Sequence, residues 1–178
     1  IKDQLNAILT DKNIGKVRQN LKYDINVLAK YDMNIDGIVG DTMLQSYVFN
    51  STSTRHDMDS LALKYLGPKC ISFEEIAGKG AKQLTFNQIA LEEAAPYAAE
   101  DADITLRLYD YFAEQLRQEP SLNQLFNEIE LPLMPILSHI EQNGVLINPD
   151  HLHDLSAEFA TKLQELEGKA HDVAGEVF

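Results

Sequence analysis

The sequence predicts an α/β fold that is mostly helical, and three observations predict it. Apolar residues recur at helical spacing over long stretches, above all from Leu91 to Leu116, where Ala98, Ala102, Leu106, Tyr109, Phe112 and Leu116 mark one face. Only two short segments read as strands, one at Lys16–Arg18 and one around Gly37–Gly40. Polar capping residues, Asn20, Asp41, Asp57 and Asn148, stand where helices should begin.

In chain order, residues 1–11 read as an amphipathic helix with Ile1, Leu5, Ile8 and Leu9 facing inward, broken at Asn13-Ile14-Gly15. The strand candidate Lys16–Arg18 follows. Asn20 is expected to cap a helix carrying Leu21, Ile25, Val27 and Leu28, with Asp24 in its first turn. After the second strand, Asp41 caps a helix from Thr42 to Phe49, and Asn50–Thr54 is a polar loop. A helix from Asp57 to about Leu66 is stopped by Gly67-Pro68, and Phe73–Ile76 forms a single turn. Pro96 is tolerated only near a helix start, which places the start of the long helix between Leu91 and Ala95. Leu122 to Asn143 reads as one helix bent at its prolines, because each removes a backbone donor. Asn143-Gly144 is a turn, and Asn148-Pro149 opens the last helix. A domain boundary is expected near Arg117–Ser121, giving domains of residues 1–118 and 119–178.

No apolar run approaches the roughly 20 residues of a membrane span, so no membrane association is expected. The single cysteine, Cys70, cannot form an internal disulfide, which fits a reducing cytoplasm. The chain starts without methionine and ends in Gly175-Glu176-Val177-Phe178 without a clean stop, so it is expected to be a segment of something longer. A net charge of −13 argues against generic polyanion binding. The charge is uneven, however. Residues 1–30 carry six Lys/Arg against three Asp/Glu, whereas residues 91–178 carry four against eighteen. A nucleic acid, if bound, should approach the N-terminal third.

Few residues carry chemistry. Tyr97 and Asp101, four apart on the long helix, share a face and could form one wall of a metal-dependent site; a core tyrosine beside a solvated aspartate is the plainer reading. Asp24 likewise has a plain explanation in the helix dipole. His151 and His153 are two apart on a helix and cannot share a face, so they read as surface residues. Gly78-Lys79-Gly80 lacks the spacing of a phosphate-binding loop, and no serine or cysteine sits in a nucleophile motif.

Taken together, several stretches resemble one family. GKVRQNLKYD (Gly15–Asp24) is similar to the second exonuclease motif of the bacterial DNA polymerase I family, polymerase family A, and YAAEDADITLRLY (Tyr97–Tyr109) resembles its third motif in the tyrosine-containing form. DTMLQSYVFN (Asp41–Asn50), RHDMDSLALKYL (Arg55–Leu66) and FEEIAGKGAKQLTF (Phe73–Phe86) look like the segments between those motifs. IELPLMPILSHIEQNGVLINP (Ile129–Pro149) looks like the entry to the polymerase domain. The match runs in order along nearly the whole chain.

The resemblance implies a truncated ribonuclease-H-like 3′-5′ exonuclease domain of the DEDDy type, followed by helices that open the polymerase domain. It implies two divalent ions, usually Mg²⁺ with Mn²⁺ possible, which suit hard oxygen ligands and an in-line phosphodiester displacement. On the matching positions, Asp101 would be a direct metal ligand and Asp24 an outer carboxylate acting through water. Tyr97 would orient the attacking water, since a phenol with a pKa near ~10 is a poor base. Gln19, Asn20, Tyr23, Arg55 and Phe73 match positions that hold a single-stranded DNA 3′ end, Phe73 by stacking. The implied setting is the bacterial cytoplasm, close to the nucleoid. The first motif of the family, an aspartate and a glutamate two residues apart, has no counterpart in residues 1–15, and the sheet's first three strands and the polymerase motifs are likewise not found. The chain alone is therefore expected to be inactive, completed only by further parts of the same polypeptide. Alternatives are a catalytically inert structural or single-strand-binding domain of the same fold, and a stand-alone nuclease, against which Ile129–Pro149 speaks.

Overall fold

Two short parallel strands and the helices around them make up the first part of the molecule. The computed structural model describes residues 2–67 and 70–177, and it divides into two compact units, residues 1–142 and 143–178. In the first unit α1 (Lys2–Thr10) leads to β1 (Lys16–Arg18), and α2 (Leu21–Ala29) carries the chain across to β2 (Ile38–Asp41). The strands pair in parallel with Val17 opposite Gly40 and Arg18 opposite Asp41, after an irregularity between Lys16 and Val17. α3 (Thr42–Phe49) follows at once, then α4 (Met58–Leu61), which runs into a π-helical turn at Ala62–Leu66, and α5 (Phe73–Ala77). The 28-residue α6 (Leu91–Gln118) is succeeded by α7 (Pro120–Leu125), a second π-helical turn at Phe126–Glu130, and α8 (Leu131–Asn143). The second unit is dominated by α9 (Pro149–Ala174), none of whose residues is buried.

Helix starts follow their caps, with one exception. Asp57 accepts from Ser60 N at 2.9 Å, and Asn148 accepts from His151 N at 3.2 Å. Asn20 does not cap α2 with its side chain. It adopts the left-handed conformation (φ 58°, ψ 52°) and makes no side-chain cap bond. Asp41 takes over that role. Its buried carboxylate accepts from Met43 N and Leu44 N at the start of α3 (2.9 and 3.2 Å), and from Asn20 N and Leu21 N at the start of α2 (3.3 and 2.7 Å). One carboxylate thus satisfies the orphan donors of two helices, a long-range arrangement that local sequence cannot reveal.

The core lies where α6 crosses α3 and α4. Leu61, Ala62, Cys70, Ile104, Leu108 and Phe112 form its buried centre, with Phe49, Met58, Tyr65, Leu66 and Tyr111 around it. The buried face of α6 matches the expected one at Phe112 and Leu116 and departs from it elsewhere. Ile104, Thr105, Leu108, Phe112 and Leu116 are buried, whereas Ala98, Ala102 and Leu106 are exposed. Alanines bias a periodicity count without contributing much burial, so the larger residues decide the orientation. α1 also departs from expectation: it buries no residue, and Leu5 and Ile8 lie exposed. Ile1 and Pro68 lie outside the described residues.

Gly40 fixes how α6 meets the sheet. A Cβ there would stand 2.4 Å from Cε2 of Tyr109, so the ring packs directly on the β2 backbone. At the C-terminal side, the segment 119–142 stays with the first unit, and Phe126 and Met134 are buried. The expected proline bend is a π-helical turn ending just before Leu131-Pro132. A widened turn of this kind accommodates the disturbance that prolines bring to the backbone ladder.

Candidate active site

The exposed end of β1, the first turns of α2 and the N-terminal half of α6 present the charged groups. Tyr97 and Asp101 continue the buried stripe of α6 by steps of three or four residues, and this places both half-buried rather than in open solvent. The Tyr97 hydroxyl lies beside the Asp101 carboxylate and favours its charged form. Asp101 Oδ1 is buried and has no hydrogen-bond partner. Burial raises the Asp101 carboxyl above its ordinary value, and the nearby Asp59 and Glu100 add to this; the Tyr97 hydroxyl and the Arg18 charge oppose it. Tyr97 is likewise raised, first by burial and then by the Asp101 charge, so its phenol stays protonated and acts as a donor. The ring is flanked by Phe73 and Phe86, at centroid distances of 6.2 and 6.1 Å.

Asp24 faces β1. Arg18 Nη2 and Nε donate to its two carboxylate oxygens at 3.2 and 3.3 Å. Arg18 pairs with Asp24, and its charge also favours the ionised form of Asp101. Among the described residues no group of three or more His, Cys, Asp or Glu side chains is gathered to hold a metal ion. The donor chemistry nevertheless suits a hard divalent cation at Asp101, where an orphaned carboxylate oxygen is what such an ion would engage.

The expected strand-holding residues are distributed unevenly. Tyr23 stands well out on α2, with 67% of its surface exposed. Phe73 packs edge-on against Tyr97. Arg55 is exposed and pairs with Asp57 at 3.5 Å. Gln19 is engaged inside the protein: its amide nitrogen donates to His56 O at 2.7 Å, and its oxygen accepts from the Thr42 hydroxyl. Asn20 offers its backbone N–H to Asp41. Sequence reasoning did not single out Arg18, Asp59 and Glu100, whose charges act on Asp101, or Phe86, which flanks Tyr97. Arg18 adjoins Gln19 within the second motif, but nothing in its spacing announces an ion pair with Asp24.

Comparison with known proteins places this geometry in a family. A family model of DNA polymerase A, described as 3′-5′ exonuclease, matches residues 1–117. DNA polymerase I of Pseudomonas aeruginosa is 54% identical over 98% of the chain, and that of Rhizobium leguminosarum is 38% identical over 98%. The chain spans only 19% and 17% of the length of these two relatives. Among solved structures, the POL domain of Pol1 from M. smegmatis, in complex with DNA primer-template and dNTP, has the same fold with a TM-score of 0.70. That likeness covers 99% of this chain and 27% of the other at 22% identity. The chain therefore belongs to the 3′-5′ exonuclease family of the family A DNA polymerases.

Proposed function

We propose that this chain supplies part of a proofreading exonuclease site in a bacterial DNA polymerase I, and that the complete polypeptide also carries out template-directed DNA synthesis in replication and repair. The observation that carries the reading is Asp101 Oδ1, a buried carboxylate oxygen without a hydrogen-bond partner, one helical turn from Tyr97. Asp101 Oδ1 would hold a divalent ion, Mg²⁺ or Mn²⁺, and Asp24 would serve as the outer carboxylate. Bound ions supply charge that stabilises the attacking and leaving oxygens of a phosphodiester. Tyr97, kept neutral, orients a water by hydrogen bonding, and Phe73 and Tyr23 offer ring faces to the bases of a frayed 3′ strand. The exonuclease portion ends near residue 118, and the helices beyond it open the polymerase portion. The setting is the cytoplasm, at the nucleoid; among the described residues no helix is long and apolar enough to cross a membrane.

On this reading the 178-residue chain by itself digests single-stranded DNA negligibly, because its described residues gather no set of three metal ligands. The same observation favours a second reading, an inert domain of this fold that only binds single strands. The test is to introduce Asp24→Ala and Asp101→Ala separately into the complete polymerase. Loss of 3′-5′ degradation with synthesis intact supports the first reading. Unchanged degradation overturns it, and an equal fall in synthesis refutes the boundary near residue 118.

A further inference from the structure

The family match ends at residue 117, yet α8 remains in the same compact unit and bonds to α2, the helix that carries Tyr23 and Asp24. Ser138, only 1% exposed, donates its hydroxyl to Asn26 Oδ1 at 2.6 Å. Gln142 Nε2 donates to Ser138 Oγ at 3.0 Å. In return Asn26 Nδ2 donates to Glu141 Oε2 at 2.7 Å, and Lys22 forms an ion pair with the same carboxylate. Both ends of the Asn26 amide are therefore committed to α8. A buried hydroxyl facing an amide oxygen tolerates little displacement, since either group left alone would be an unsatisfied polar atom.

Helical geometry gives this contact a lever. Lys22 and Asn26, one turn apart, share a face of α2, whereas Asp24 lies on roughly the opposite face, toward Arg18. At its N-terminus α2 is held by Asp41 through the amides of Asn20 and Leu21, which fixes where the helix begins. Leu21 is the only fully buried residue of α2, while Ile25, Val27, Leu28 and Ala29 are half-buried, so the polar contacts to α8 add to the packing that sets its rotation. The Arg18–Asp24 pair is largely exposed at Arg18, and exposed ion pairs hold weakly.

We propose that α8 is the positioning element for α2: the Asn26–Ser138–Glu141 cluster sets the rotation of α2 about its axis and thereby the direction in which Tyr23 and Asp24 point. Residues outside the exonuclease match thus complete the geometry of the candidate site. The significance of Tyr23 and Asp24 rests on the exonuclease reading, but the mechanical claim does not.

The test is made on the 178-residue chain by nuclear magnetic resonance, comparing Asn26→Ala, Ser138→Ala, the double variant, and Ser138→Thr, which keeps the hydroxyl. Two readouts are followed: amide exchange along α2, and the Arg18 Nε–H resonance, which reports the Asp24 pair on the far face. The expected result is exchange in α2 faster by roughly fivefold in each single variant, about the effect of one lost hydrogen bond. The Arg18 resonance shifts with it, and amides of α3 and α6 keep their rates. The double variant exceeds neither single variant, because the two side chains act as one unit, and Ser138→Thr restores the wild-type pattern. An unmoved Arg18 resonance overturns the proposal, as does faster exchange spread equally over α3 and α6, which would be global loosening. Binding of a fluorescent single-stranded oligonucleotide is measured in parallel. Its absence in the wild-type chain counts against the exonuclease reading, while the exchange and resonance data decide the clamp.

Discussion

Replacing Asp41 tests how much of the first unit depends on one carboxylate. The residue is 1% exposed, and its two oxygens receive four backbone N–H groups from the starts of α2 and α3. Loss of an N-cap costs about 1 kcal/mol at each helix, and donors left buried without an acceptor add about 1–3 kcal/mol. Recovery of the desolvation cost of the carboxylate offsets part of this. Asp41→Ala should therefore cost about 3 kcal/mol, a fall in Tm of roughly 6–12 °C for a unit of this size. Asp41→Asn separates the two helices. The oxygen that serves Met43 and Leu44 can be kept, but the amide nitrogen then faces Leu21 N where an acceptor stood at 2.7 Å, so the cost is about half as large. The pH dependence has a definite sign. Burial raises the Asp41 carboxyl above its ordinary 3.8, against the pull of the four N–H groups. Its stabilising contribution is thus full below that value and declines as pH rises through the raised one. The gap between wild type and Asp41→Asn should be wider in acid than near neutrality. Urea and thermal melts followed by circular dichroism measure all of this. A Tm for Asp41→Ala within a degree or so of wild type would refute the double-cap reasoning.

Further outcomes follow from the packing and the electrostatics. Gly40→Ala drives a methyl into the Tyr109 ring and should cost about 1–3 kcal/mol in a denaturant melt, with recovery when Tyr109→Ala is added; additive losses would show that the contact is not the cause. The raised Asp101 carboxyl stabilises the fold below about 3.8 and loses that contribution as pH rises through its folded value. Asp101→Asn should accordingly raise Tm near neutral pH, with the advantage fading toward acid, and a lower Tm at neutrality would contradict this. Burial pushes the Cys70 thiol up to about 11, so a thiol reagent should modify the folded chain at least roughly a hundredfold more slowly than the denatured chain. Equal rates would mean that the core around Cys70 opens freely.

Much of this architecture was legible in the sequence because its signals are local. The caps at Asp41, Asp57 and Asn148, the proline opening α9, and the start of α6 within a few residues of Pro96 all depend on near neighbours. Tyr97 and Asp101 lie on one face of α6 for the same reason, since a spacing of four on a helix is a distance. The failures share a different cause. Asn20 has the composition of a cap, but an aspartate twenty-one residues later supplies the acceptor. The buried face of α6 is chosen by what Leu61, Phe49 and Tyr65 offer across the interface, not by a count of alanines. The Arg18–Asp24 pair and Ser138 on Asn26 are side-chain contacts that periodicity cannot show. The roles at the candidate site came from the resemblance to a family and not from spacing.

The two-strand ladder has a consequence for the order in which the molecule assembles. Its strands hold three and four residues, with partners about twenty positions apart, and a parallel pair of that length does not persist alone in water. The ladder persists because α3 begins where β2 ends and the Tyr109 ring of α6 lies on Gly40. Closing the loop through α2 brings little return until those helices have met. Strand pairing should thus be a late event, with substitutions in Val17 or Ile38 altering the unfolding rate, and Phe112 or Leu61 governing how fast the chain folds. The Arg18–Asp24 pair at the end of β1 would then acquire its arrangement only in the closing steps of folding.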